Sequence, residues 1–198
     1  MRTVMMIYAS PLKEAAISTQ IANDFLKKYK KKNPLDEVGK LYANEIEGIL
    51  LTQTLLQKKA NEQDIKVVEK RKQYADMFMK SDIIIIASPM WNFGIPGFLK
   101  ELLDCFVVAN KSFKYINKED NNVFIPIGLC GDKKLVFIQS MGGDHVGEED
   151  IAYLQIQKLF GFMGVEDIRY VRATNNDIPG ASTKEMARIK AQKIAETI

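Results

Sequence analysis

The chain has 198 residues, of which 46% are hydrophobic, and its 28 basic and 25 acidic side chains leave a formal net charge of +3. This length and apolar content predict one domain over residues 1–198 with a substantial core, whereas the even charge balance disfavours a nucleic acid or an anionic membrane as partner. The two cysteines form no CxxC pair, which argues against a disulfide framework or a metal site. The apolar run near the N-terminus is too short for a signal peptide, and no stretch reaches the roughly 20 apolar residues that a membrane span needs. We therefore expect a cytoplasmic protein without a metal site.

Short apolar runs, which predict buried strands, alternate along the chain with segments whose apolar residues recur at helical spacing. The clearest strand signal is residues 83–87, and Ser182 with Glu185 forms the pattern of a capping box before the last helix. In chain order, the predicted elements are strand 4–9, helix 18–32, strand 38–42, helix 46–58, helix 62–80, strand 83–87, helix 96–109, strand 135–139, helix 149–162, strand 168–171 and a helix from residue 182.

Five strands separated by helices predict an α/β fold, a doubly wound five-stranded parallel sheet with helices on both faces. The flavodoxin-like strand order is one common form of such a sheet, and ligands bind at the carboxyl ends of its strands, where the strand order reverses. The loops after residues 9, 87 and 139 are therefore expected to carry the chemistry.

The first of these loops leads from a buried strand into the start of a helix, where free backbone N–H groups and the helix dipole favour an anion. The hydroxyl groups of Ser10, Ser18 and Thr19 add hydrogen-bond donors, so the loop predicts a phosphate site. The alternative is that Ser18 only caps the helix.

The second loop holds the single tryptophan of the chain, Trp91, beside Asn92 and Phe93. Exposed aromatic surface costs free energy unless something flat covers it, and an asparagine offers both a donor and an acceptor to the edge of a planar ring. An aromatic plug between helices is the alternative interpretation.

The third loop contains two adjacent glycines, Gly142 and Gly143, after Ser140 and Met141. Glycines there would let the backbone approach a ligand closely, although a simple strand-ending turn explains them as well. His145, the single histidine, is a candidate catalytic residue that could donate a proton to a reduced acceptor, and the alternative is a solvent-facing side chain.

The chain resembles, nearly end to end, the FMN-dependent NADH–quinone oxidoreductases known as azoreductases. The segments that carry the resemblance are residues 89–96 (PMWNFGIP), 111–115, 140–143 and 160–164. The resemblance implies a homodimer with an FMN near each subunit boundary. It implies that the FMN phosphate is held by Ser10, Ala16, Ile17 and Ser18, and that the isoalloxazine ring is lined by Met90, Trp91, Asn92 and Phe93. The pyrimidine end of the ring would be contacted by Ser140, Met141, Gly142 and Gly143. It also implies a substrate pocket walled in part by Phe124 and Phe162.

Three departures from the family pattern stand out. Ala16 replaces a serine that is frequent in the family, and Trp91 replaces the usual tyrosine. The segment over residues 116–126 is longer than the family pattern predicts, which bears on the choice of electron acceptor.

The resemblance implies that NADH or NADPH reduces the FMN and that a quinone or azo compound then receives two electrons at the same place, in a ping-pong reaction. A one-electron carrier of the flavodoxin type is the alternative. Such carriers resemble one another in a T-x-T-x-G-N-T loop and an acidic surface, whereas this chain has no such loop and a sequence pI of about 8.7. A phosphoacceptor signalling module is disfavoured because Ser10 and Ser88, not carboxylates, end the relevant strands.

Overall fold

A computed structural model describes residues 1–57, 61–118, 123–145, 147 and 149–198. None of the described helices combines the length and the apolar content that crossing a bilayer requires. In chain order, the strands and α-helices are β1 (Thr3–Tyr8), α1 (Ile17–Lys32), β2 (Glu37–Tyr42), α2 (Gln53–Leu56), α3 (Glu62–Lys80), β3 (Ile83–Pro89), α4 (Gly97–Asp104), β4 (Phe113–Lys118), β5 (Val123–Gly128), β6 (Lys134–Ser140), α5 (Ile151–Phe162), β7 (Asp167–Ala173) and α6 (Lys184–Thr197).

The main sheet has five parallel strands in the order β2-β1-β3-β6-β7. The chain first adds β2 on one side of β1 and then crosses to add β3 on the other side, so the strand order reverses between β1 and β3. This order confirms the predicted flavodoxin-like fold, and it places the loops after β1 and β3 at the reversal point.

Alternating side chains of β1 show how the sheet is covered on both faces. Met5 and Ile7 belong to a core shared with α3, α4 and α5, whereas Val4 and Met6 belong to a second core shared with α1 and α6. A strand covered on both faces needs an apolar residue at every position, which explains the continuous apolar run seen in the sequence.

The predicted helix over residues 46–58 is wrong over most of its length, because α2 is the one helical stretch found in its described part and residue 58 lies outside that part. The Arg71 guanidinium of α3 binds the Ile49 carbonyl at 2.7 Å, so this carbonyl is used by a tertiary contact. Gly48, with φ +69°, also turns the backbone away from a helical path.

The helix predicted over residues 96–109 is α4, which ends earlier, at Asp104. The N–H groups of Cys105 and Phe106 bond to carbonyls three residues back, which tightens the last turn. Arg71 also donates to the Asp104 carbonyl at 3.0 Å, so this carbonyl at the end of α4 is used by a tertiary contact as well.

The capping-box prediction at Ser182 is wrong, because its hydroxyl donates to the Asn176 side chain at 2.8 Å and Glu185 pairs with an arginine one turn later. A capping box does occur at the start of α3, where Asn61 and Asp64 bond to each other's backbone N–H groups. A contact within the loop between β7 and α6 has thus replaced the predicted capping bond at Ser182.

A β-hairpin that the sequence did not predict occupies the long segment over residues 116–126, of which residues 119–122 lie outside the described part. Its strands β4 and β5 pair antiparallel, apart from the main sheet. A Cβ on Gly128 would lie 2.2 Å from the Gly164 backbone nitrogen, so the base of the hairpin packs directly on the chain that follows α5.

Candidate active site

A cleft of about 260 Å³ opens where β1, β3 and β6 end. Its described wall consists of thirteen residues from four loops: Ser10, Leu12, Ala15, Ala16, Ile17, Pro89, Met90, Trp91, Ser140, Met141, Gly142, Asn176 and Asp177. Three of the four loops are those selected from the sequence.

The start of α1 forms one end of the cleft. Its N-cap, Ala16, makes no side-chain capping bond, so the interpretation of Ser18 as a cap is wrong. The Ser18 and Thr19 hydroxyls are fully buried and have no hydrogen-bond partner among the residues that the structure describes. Buried hydroxyls are normally bonded, and the first N–H groups of a helix lack partners within it, so this end fits a phosphate.

The second loop is a two-residue hairpin in which Trp91 and Gly94 exchange two backbone hydrogen bonds of 3.0 Å each. Asn92 and Phe93 between them have φ +48° and φ +66°. The left-handed region costs a bulky residue about 1–2 kcal/mol, and such strain concentrates at functional sites.

The aromatic side chains of this hairpin are half exposed. Trp91 is 46% exposed and meets the edge of Phe98, while Phe93 is 51% exposed and meets the edge of His145 at 5.0 Å. The interpretation as a plug between helices is therefore wrong. A planar ligand in the cleft would cover part of this apolar surface.

The third loop is joined to the second, because the Met90 N–H donates to the Ser140 carbonyl at 2.8 Å. A Cβ on Gly142 would lie 2.1 Å from the Asp177 carboxylate. A larger residue at position 142 would therefore have to displace the Asp177 side chain, which belongs to a loop that the sequence analysis did not select.

This fourth loop follows β7 and runs along the third. The N–H groups of Asn175, Asn176 and Asp177 donate to the carbonyls of Gly143, Met141 and Gly142 at 3.2–3.3 Å. The signal that could have revealed it was the polar run Asn-Asn-Asp over residues 175–177, a few residues after the strand predicted over residues 168–171.

Two side chains of β7 hold the chain on either side of the site. The Arg172 guanidinium donates to the Asp144 carbonyl of the third loop at 2.5 Å, and the Tyr170 hydroxyl donates to Asp150, the N-cap of α5, at 2.5 Å. Burial, and then the hydrogen bond to Asp150, raise the pKa of the Tyr170 phenol well above its usual range. The phenol thus stays protonated and acts as a structural donor.

The sequence-selected residues divide into two groups. Eight of them line the cleft: Ser10, Ala16, Ile17, Met90, Trp91, Ser140, Met141 and Gly142. Seven do not belong to its described wall: Ser18, which is fully buried, Asn92 and Phe93 in the turn, Gly143, His145, and the two phenylalanines Phe124 and Phe162.

The two phenylalanines and the histidine lie in different surroundings. Phe124 is 61% exposed on β5, and Phe162 ends α5 with its ring 4.8 Å from that of Phe113. His145 has φ +41° and lies between the strained turn and Gly143, where its Nε2 would be 3.6 Å from an added Cβ. It therefore borders the loops of the site.

Comparisons with known proteins agree with this arrangement. Residues 2–198 match a family described as having a flavodoxin-like fold. FMN-dependent NADH:quinone oxidoreductases from Coprothermobacter proteolyticus and Caldicellulosiruptor saccharolyticus are each 31% identical over 208 aligned positions, which cover 100% of this chain and 98% of theirs.

Solved structures show the same fold. An azoreductase from Bacillus anthracis str. Sterne has a TM-score of 0.88 at 24% identity, over 100% of both chains. An FMN-dependent NADH-azoreductase from Bacillus anthracis str. Ames Ancestor, in complex with FMN, has a TM-score of 0.83 at 22% identity, over 100% of this chain and 97% of its own. Taken with the full-length relatives, these matches mean that the chain belongs to the flavodoxin-like family of FMN-dependent NADH:quinone oxidoreductases.

Proposed function

We propose that residues 1–198 form one FMN-binding domain that transfers two electrons from NADH or NADPH to quinones and azo compounds by a ping-pong mechanism. The observation that carries the proposal is the pair of buried, unpartnered hydroxyls of Ser18 and Thr19 at the start of α1, beside a cleft at the strand-order reversal. A phosphate tail explains the hydroxyls, and a planar ring explains the half-exposed aromatic turn.

The chain's own residues would hold FMN in three places. The Ser10, Ser18 and Thr19 hydroxyls, with the first N–H groups of α1, bind the phosphate, and Ala16 contributes its backbone alone. Trp91 and Met90 flank the ring, and the strained turn presents the Asn92 amide to its polar edge. When bound, FMN supplies the acceptance and release of hydride.

Backbone groups of the third loop support the negative charge that reduction places on the pyrimidine end of the ring. Gly142 lies in the cleft wall, and Gly143 follows it in the chain. Fixed N–H dipoles in a loop that needs no reorganisation stabilise such a charge effectively. His145, packed on the edge of Phe93, is the proposed proton donor to the reduced acceptor.

A homodimer is part of the proposal. Phe124 and Phe162 do not line this chain's described cleft, so if they wall the substrate pocket, a second copy must supply them. A separate groove of about 570 Å³ runs between α2, α3 and the chain after α4, and its apolar lining includes the exposed side chains of Leu51, Leu56 and Val68. Exposed apolar surface of this kind is typical of protein interfaces.

The dimer is tested by sedimentation of Val68→Glu against Ile189→Glu. Both residues are apolar and about half exposed, at 48% and 47%, but Ile189 lies on α6, outside the groove. We expect the Val68 variant alone to sediment as a monomer. A monomeric wild type would refute the dimer.

The buried free thiols of Cys105 and Cys130 suit the reducing cytoplasm where we propose that the protein acts.

The central experiment is to add FMN to the purified protein and record the visible spectrum, followed by steady-state rates with NADH, NADPH and a panel of quinones. We expect bound-flavin bands, turnover, and parallel lines in double-reciprocal plots. A protein that acquires no flavin bands would end the FMN proposal. Intersecting lines would refute the ping-pong order, and stable one-electron reduction in a reductive titration would favour a flavodoxin-type carrier.

A further inference from the structure

Asp177 is the charged residue of the cleft. The other twelve residues of the described wall have no ionisable side chain. Asp177 is held in place by its own N–H, which donates to the Gly142 carbonyl at 3.2 Å. Its neighbour Asn176 donates from Nδ2 to the Met141 carbonyl of the third loop at 2.8 Å and to the Ala173 carbonyl at the end of β7 at 2.9 Å, so a side-chain bond also joins the fourth loop to the third.

The Asp177 carboxylate points across Gly142. Its Oδ2 lies 2.1 Å from where a Cβ of residue 142 would be, and its Cγ lies 2.9 Å from the same point. Within the part of the chain that the structure describes, no side chain donates to this carboxylate or forms an ion pair with it. The pair of oxygens is therefore available to a ligand in the cleft.

We propose that Asp177 binds the flavin ring directly by accepting a hydrogen bond from its imide N3–H, and that its charge lowers the reduction potential of the bound FMN. This inference rests on the proposed function. An ionised carboxylate can only accept hydrogen bonds. The pyrimidine edge of the oxidised ring offers two carbonyl oxygens and one donor, N3–H, so a carboxylate at that edge has a single attractive partner.

The effect on the potential follows from charge. Reduction places negative charge on the N1–C2–O2 region of the same ring, next to the atom that Asp177 binds. Like charges repel, so Asp177 disfavours the reduced form and makes it a stronger reductant. Because Asp177 is exposed to solvent, screening keeps this effect moderate.

The test uses FMN and 3-methyl-FMN, in which a methyl group replaces the N3 hydrogen, with the wild type, Asp177→Ala and Asp177→Asn. Asp132→Ala is the matched control, because Asp132 is an exposed aspartate in the turn that precedes β6, at the opposite end of the sheet. Dissociation constants come from flavin fluorescence titrations, and midpoint potentials from equilibrium with a reference dye.

We expect the wild type and Asp132→Ala to bind FMN at least tenfold more tightly than 3-methyl-FMN, and Asp177→Ala to lose most of this preference. Asp177→Asn keeps an acceptor oxygen but no charge, so its potential should rise, by ~30 mV if the ratio of reduced to oxidised binding changes tenfold. An unchanged preference in Asp177→Ala, or an unchanged potential in both variants, would overturn the inference while leaving FMN binding intact. A wild type that binds no FMN would instead overturn the proposed function.

Discussion

Replacing Ser18 by alanine should affect the free protein and its flavin complex in opposite directions. Ser18 is completely buried, and its hydroxyl has no partner in the structure. A buried polar group without a hydrogen bond costs about 1–3 kcal/mol, and alanine is the better helix former. The FMN-free Ser18→Ala protein should therefore have an unchanged or higher free energy of unfolding.

Ser112 is the matched control, because it is equally buried but bonded. Its hydroxyl accepts a hydrogen bond from the Val108 N–H at 2.9 Å. Ser112→Ala leaves that N–H unsatisfied and should lower the free energy of unfolding by about 1–3 kcal/mol. For a domain of this size each kcal/mol corresponds to about 2–4 °C in Tm, so thermal unfolding separates the two variants.

The flavin complex of Ser18→Ala should be weaker. A hydrogen bond to a charged phosphate contributes about 1.5–3 kcal/mol, which corresponds to a loss of roughly tenfold to 100-fold in FMN affinity. Riboflavin, which has no phosphate, should bind the variant and the wild type equally. The reasoning is refuted if Ser18→Ala destabilises the flavin-free protein as much as Ser112→Ala, or if riboflavin and FMN lose affinity by the same factor.

Three further predictions concern packing and titration. Gly128→Ala should destabilise the protein by several kcal/mol in urea unfolding, because its Cβ would clash with backbone atoms. The Cβ of Gly161→Ala in α5 meets nothing within 4 Å, so this variant should be more stable than the wild type by about 0.5–1 kcal/mol. Equal effects of the two substitutions would contradict this. Burial raises the pKa of Cys105 to about 11, so about one thiol in a thousand is ionised at pH 8. A disulfide reagent should therefore modify Cys105 in urea but not in the native protein. Rapid labelling of the native protein would disprove this. The Tyr29 hydroxyl bonds to the Asp36 carboxylate and holds its pKa below the ordinary 3.8, so the unfolded state binds more protons at low pH. This stabilisation is complete above about pH 4 and is lost as the pH falls. Tyr29→Phe should therefore make the free energy of unfolding depend less steeply on pH on the acid side, and an unchanged slope would count against the argument.

The sheet could be predicted from the sequence because each of its strands has a local signal. Residues such as Ile84 and Ile86 face one core while Ile83 and Ile85 face the other, so burial on both faces is encoded in every position. The helix over residues 46–58 failed for a non-local reason, since Arg71, more than 20 residues away, binds a carbonyl within it. No pattern within that window contains this information.

The strained turn shows a second limit. Two-residue hairpins with both central residues at positive φ usually carry glycine at the second position, so Asn92 followed by Phe93 has no sequence signature of such a turn. The sequence correctly singled out the aromatic residues as unusual but could not predict their backbone. Local rules are expected to fail where a binding site imposes its own requirement.

The fourth loop shows what the register of the sheet adds to the strand order. Ser140 at the end of β6 pairs with Ala173 at the end of β7, so the chain leaves both strands at the same height. The N–H groups after Ala173 therefore meet the carbonyls of the third loop, and Asp177 is brought across Gly142. Strand order alone predicts which edge of the sheet binds a ligand. The register of the outer strand pair brings a negative charge to this edge as well, and through that charge we propose that the fourth loop adjusts the potential of the flavin.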